Sequence, residues 1–129
     1  MQIERDWPSE WLRGVLEVLV LQCLADGPTW GYAIAESLQG AGFGTVKGGT
    51  LYPLLGRLEE SGFVSVEWRA GDGGPGRKYF TLTDAGARSL SARATQWQAF
   101  SRLAQGYLGA STPSATSTIS TYPGIEDLT

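Results

Sequence analysis

A chain of 129 residues, 42% hydrophobic and 18% charged, amounts to one globular domain with room for one core. It holds no histidine and one cysteine, Cys23, which excludes His-activated nucleophiles, His-ligated zinc, an internal disulfide and a cysteine cluster. Ten Lys and Arg against thirteen Asp and Glu leave a net charge of −3, which weighs against a nucleic-acid partner, since such domains are typically basic.

Residues 1–11 form an arm that carries Glu4, Arg5, Asp6 and Glu10 and lacks the apolar core of a signal peptide. From Leu12 to Leu24, the residues Leu12, Val15, Leu16, Leu19, Val20, Cys23 and Leu24 recur at helical spacing until Asp26-Gly27-Pro28 stops the pattern. Glu17 and Gln22 interrupt this stretch well short of the ~20 apolar residues of a membrane span, so the chain reads as cytoplasmic, with no membrane partner. Cys23, inside the apolar stretch, reads as a core thiol. A second helix is predicted from Trp30 to Gln39, with Ala33, Ile34 and Leu38 inward and Trp30 suggesting an added contact with the first helix. After Gly40, Gly42 and Gly44 comes a third, in which Leu51, Leu54, Leu55 and Leu58 make one stripe. Pro53 is expected in or near its first turn, because deeper it removes a hydrogen bond; Gly62 ends the helix.

The period then switches to two. Val64, Val66 and Trp68 alternate with polar residues, as do Phe80 and Leu82, around a loop expected at Gly71–Gly76. Gly71, Gly73 and Gly76 formally match a dinucleotide-binding pattern. A strand follows instead of a helix, so the match is accidental. Thr83 suits an N-cap, and a fourth helix runs to about Leu108 with Leu90, Ala94, Trp97, Phe100, Ala104 and Tyr107 on one face. That face has no evident partner within the chain, and a second copy would supply one. Residues 110–129, rich in Ser and Thr, read as a disordered tail. The fold class is therefore mainly α with a small β-hairpin: a winged helix-turn-helix over 12–83 and a C-terminal dimerisation helix over 84–109.

Three helices followed by a hairpin place the third helix as a reader of DNA. Its outward face presents Gly49, Thr50, Tyr52, Pro53, Gly56 and Arg57, with Lys47 just before it as a cation for the backbone. Arg57 also has Glu60 and Glu36 as candidate partners, and Tyr52 is also readable as a packing residue. Tyr32, near the start of the second helix, is placed to reach a phosphate. Arg69, Arg77 and Lys78 against Asp72 give the hairpin +2.

The run Gly48-Gly49-Thr50-Leu51-Tyr52-Pro53-Leu54-Leu55-Gly56-Arg57-Leu58-Glu59-Glu60-Ser61-Gly62 resembles the recognition-helix signature of the PadR family of transcriptional regulators. Gly31-Tyr32-x-Ile34 is similar to that family's second-helix motif, and Gly76-Arg77-Lys78-Tyr79-Phe80-x-Leu82-Thr83-x-x-Gly86 to its wing and following cap. The resemblance implies a homodimeric repressor of double-stranded operator DNA, with the C-terminal helix as dimer interface; no cofactor is expected, and without histidine no acid/base constellation can be assembled for an enzyme. It also implies a small aromatic, hydrophobic or nucleotide effector at that interface. The residues assigned there are Trp97, Phe100, Leu90, Ala104 and Tyr107, with Trp11 and Trp7 covering from the arm; the alternative for Trp97 is a plain interface anchor.

The charge divides by segment. Residues 1–26 carry −3, 27–44 carry −1, 45–83 carry +1, 84–109 carry +2 and 110–129 carry −2. The weakly positive reading surface implies few phosphate contacts per subunit. It leaves as alternative a winged-helix protein-interaction module without DNA binding.

Overall fold

The computed structural model describes residues 7–71 and 73–109. Most of the expected arm, Asp72 of the wing and the expected tail at 110–129 lie outside the described residues. Within them the order is α1 (Ser9–Leu24), β1 (Thr29–Trp30), α2 (Gly31–Gly40), α3 (Gly48–Glu60), β2 (Val64–Gly71), β3 (Gly74–Leu82) and α4 (Asp84–Tyr107). The chain divides into two units after Thr95.

The first unit is built on apolar stripes that meet. Leu16, Val20, Leu21 and Leu24 of α1, Ile34 and Leu38 of α2, and Leu51, Leu54, Leu55 and Leu58 of α3 close over Val46, Val64 and Phe80. Cys23 packs half-buried against this core, and burial pushes its thiol pKa up while a hydrogen bond with Ser37 pulls it partly back. The helix α1 starts at Ser9, behind Pro8, so Trp11 stands in its first turn instead of on an arm. Gly62 ends α3 at φ 79°, the left-handed conformation that lets its own N–H and that of Phe63 bond back to Glu59 and Leu58.

Three expectations from the sequence are corrected. Trp30 belongs to a strand: β1 pairs antiparallel with β3, Trp30 opposite Tyr79, so the hairpin becomes a three-stranded sheet of order β1-β3-β2. The hairpin also runs further than expected, since Gly71 pairs with Gly74 and only Asp72 and Gly73 separate the strands. Gly73 takes φ 69° there, a conformation that glycine adopts without steric cost.

Pro53 is the third. It is the sixth residue of α3, in the second turn. The carbonyl of Gly49, four residues back, thereby loses its helical donor on the exposed face, where water can reach it. An interior proline costs about 3 kcal/mol. Four buried leucines on the opposite face, each contributing about 1.5–3 kcal/mol, outweigh it.

The start of α4 is tied to the end of α3. Thr83 caps the helix by accepting the Gly86 N–H at 3.0 Å, and its hydroxyl donates to the Gly62 carbonyl at 2.7 Å. Arg93 of α4 forms an ion pair with Glu17 of α1. In the second unit α4 continues to Tyr107, and Trp97, Phe100, Leu103 and Tyr107 are exposed there.

Candidate nucleic-acid interface

Burial of the leucine stripe turns the other face of α3 outward. Gly49, Thr50, Tyr52, Pro53, Gly56 and Arg57 are all exposed. The helix begins without a side-chain cap: the Lys47 carbonyl accepts the amides of both Thr50 and Leu51 at 2.9 Å, and the Lys47 side chain stays in solvent. Arg57, in the last turn, forms no ion pair among the described residues, with Glu60 and Glu36 included.

Tyr32 and Tyr52 come together around the start of α2. The Tyr52 ring lies on buried Gly31, where any side chain would run into its hydroxyl and ring carbons. Tyr52 therefore has both roles open to it, packed against α2 on one side and half-exposed on the other. Tyr32 is also exposed, in the first turn of α2. Between α2 and the start of α3 lies a cleft of about 320 Å³, lined by both tyrosines with Glu36, Gln39, Thr45, Gly48 and an apolar floor that includes Ala35 and Leu51. The Glu36 carboxylate makes the cleft itself a poor seat for a phosphate.

The wing cations differ from one another. Arg69 forms an ion pair with Glu67 at 3.5 Å and lies over the Tyr79 ring at 4.3 Å. Arg77, directly across from Arg69 in the ladder, lies over the Trp30 ring at 4.0 Å, and Lys78 over Phe80 at 5.6 Å. Arg77 and Lys78 form no ion pair among the described residues, so their charge is available to a phosphate. Trp68, across from Lys78, stands exposed beyond the core, although alternation with Val64 and Val66 predicts it on the buried face.

The sequence profile described as the Transcriptional regulator PadR-like family matches residues 20–92, from mid-α1 into α4. The chain belongs to that family. The PadR-like frame accounts for the arrangement above as a winged-helix DNA-binding fold, and its members are regulators of transcription, not enzymes. Among similar proteins, Transcriptional regulator Rv3488 of Mycobacterium tuberculosis is 34% identical over 82 residues, covering 64% of this chain and 75% of that protein. The crystal structure of a PadR family transcriptional regulator from Eggerthella lenta superposes with a TM-score of 0.71 at 38% identity, covering 78% of this chain and 88% of that one. A PadR-like transcriptional regulator from Bacillus cereus gives a TM-score of 0.70 at 31% identity, covering 78% and 97%.

The remaining candidate residues of this PadR-like chain are placed as follows. Leu90 packs half-buried against the core of the first unit. Trp11 is exposed on α1, and Trp7 donates its indole N–H to the Gly42 carbonyl at 2.9 Å. Trp97, Phe100 and Tyr107 are exposed in the second unit, where Ala104 is half-buried. No helix among the described residues is long and apolar enough to cross a membrane, and no three potential metal ligands cluster among them. Sequence reasoning missed that Trp30 meets Arg77 of the wing and Tyr32 of α2. Its signal was available, an aromatic residue directly before a helix with arginines on a nearby hairpin.

Proposed function

We propose that this PadR-like regulator acts as a homodimeric repressor in the cytoplasm, binding a pseudo-palindromic operator with α3 in the major groove and the wing on flanking backbone. The observation that carries this reading is the outward face of α3. It is a thin, exposed surface of Gly49, Thr50, Gly56 and an Arg57 with no ion pair among the described residues, flanked by Tyr32 and by the available charges of Arg77 and Lys78. Glycines there let the helix backbone approach base edges, while the cations supply phosphate contacts that position without specifying. Two copies related by a two-fold axis would read half-sites about one helical turn apart.

The exposed apolar residues of α4 supply the dimer contact. Phe100 is 68% exposed and Leu103 70%, a cost in water that a second copy removes. A small aromatic, hydrophobic or nucleotide effector beside Trp97 would alter the spacing of the two recognition helices, with a coupling of about 1–3 kcal/mol typical of such linked sites.

Fluorescence anisotropy with DNA from upstream of the chain's own gene tests the reading, over a salt titration and in parallel with sedimentation. Affinity that falls with salt, by a modest slope that matches few phosphate contacts per subunit, with a dimer as the bound species, supports it. Flat salt dependence overturns it in favour of a protein-interaction module.

A further inference from the structure

Trp30 stands between two groups that the reading above assigns to DNA. Its place is set by β1, where it pairs with Tyr79, two residues beyond Arg77 on the same face of β3. Its indole takes the Arg77 guanidinium on its ring at 4.0 Å, and its centroid lies 5.7 Å from that of Tyr32, tilted at 46°. Trp30 is also the residue immediately before α2, so one side chain joins the root of the wing to the first turn of that helix.

We propose that Trp30 is a positioning residue for DNA binding, holding Arg77 and Tyr32 so that wing and α2 engage the same phosphate strand. The proposal rests on the DNA-binding reading above. A guanidinium carbon 4.0 Å from a ring centroid is close enough for face-on contact, which leaves the in-plane N–H donors at the edge, where arginine engages phosphate. An arginine on an exposed hairpin otherwise spends its rotamer freedom on binding. Held on the indole, Arg77 has surrendered part of that freedom before DNA arrives. The stacking also explains how a weakly charged surface can suffice, since a cation oriented in advance binds phosphate at a smaller entropic cost.

The test compares W30L, W30F, R77A and the W30L/R77A double variant by anisotropy over a salt titration, with thermal melts of each. Leucine keeps apolar bulk and loses the aromatic face; phenylalanine keeps a face. W30L is expected to bind about two- to tenfold more weakly than wild type. Its salt slope should be shallower by about 0.9 for each phosphate that the wing no longer neutralises. R77A should show a similar change in slope, W30F should restore most of the affinity, and the double variant should lose less than the two single losses combined, any excess over R77A alone being the hold on Tyr32.

Wild-type affinity and slope in W30L would overturn the proposal while leaving DNA binding intact, as would losses in W30L and R77A that simply add. If W30L melts early, W30F and W30F/R77A decide. Any affinity that W30F loses should then be lost through Arg77, so R77A should weaken W30F by a smaller factor than it weakens wild type, and equal factors overturn the proposal. Absence of any wild-type binding would overturn this proposal together with the reading beneath it.

Discussion

The ring of Tyr52 covers Gly31 so closely that a methyl group there would meet its hydroxyl and ring. One residue belongs to the outward face of α3 and the other opens α2, so the two helices of the reading head are fitted against each other at this point. The obstacle is the far end of a side chain that is half-exposed, and it can swing into solvent. Gly31→Ala is therefore expected to cost only about 1 kcal/mol in urea denaturation, yet to weaken DNA binding by displacing Tyr52. Full DNA affinity in G31A would show that the position of Tyr52 is irrelevant to binding.

Gly86 offers the opposite case. A Cβ there would strike the Phe63 carbonyl oxygen and Leu82, and a backbone oxygen cannot swing away. Gly86→Ala is expected to destabilise by about 3 kcal/mol, clearly more than Gly31→Ala in the same denaturant series. Thr83→Ala, which loses the cap and the bond to Gly62, is expected to cost about 1–2 kcal/mol, with Thr83→Ser recovering most of it.

Glu67 holds Arg69 and places a negative charge on the wing. An exposed pair of this kind contributes about 0–1 kcal/mol to stability, so Glu67→Gln should leave the melting temperature nearly unchanged. DNA affinity should rise by about two- to fivefold at low salt and the salt slope should steepen, because one cation per subunit is released toward phosphate. Unchanged affinity would remove Arg69 from the interface.

Burial raises the Cys23 pKa above its ordinary value, so the folded chain holds a thiol where the unfolded chain would already be a thiolate. The contribution to stability is full below the unfolded pKa and declines as pH rises through the range between the two values. Stability measured by urea should accordingly fall above about pH 9, less so in Cys23→Ala. Ellman's reagent should react slowly with native protein and quickly in denaturant.

In the second unit, Phe100→Ala and Leu103→Ala together remove two of the most exposed apolar side chains of α4. If the dimer proposed above forms through this face, sedimentation of this double variant should show monomer at concentrations where wild type sediments as a dimer, with loss of operator binding. A wild-type dimer that persists in the variant would place the interface elsewhere.

What the amino-acid sequence determined by itself is whatever repeats over a few residues. The leucine stripe of α3, the alternation around Val64 and Phe80, the Thr83 cap and the family motifs all express relations at i+2, i+3 or i+4, which backbone geometry imposes on any chain with that pattern. Tertiary structure alone decided the rest. Trp30 reads as the start of a helix until Tyr79, far along the chain, offers it a strand partner. Pro53 reads as a residue in or near the first turn, whereas α3 starts at Gly48 and carries it as the sixth residue. Arg69, Arg77 and Lys78 read as equal cations until Glu67 neutralises one and Trp30 orients another. These outcomes depend on pairings whose energies no local period records, most of them between residues distant in sequence, and they determine how each cation of the wing is held.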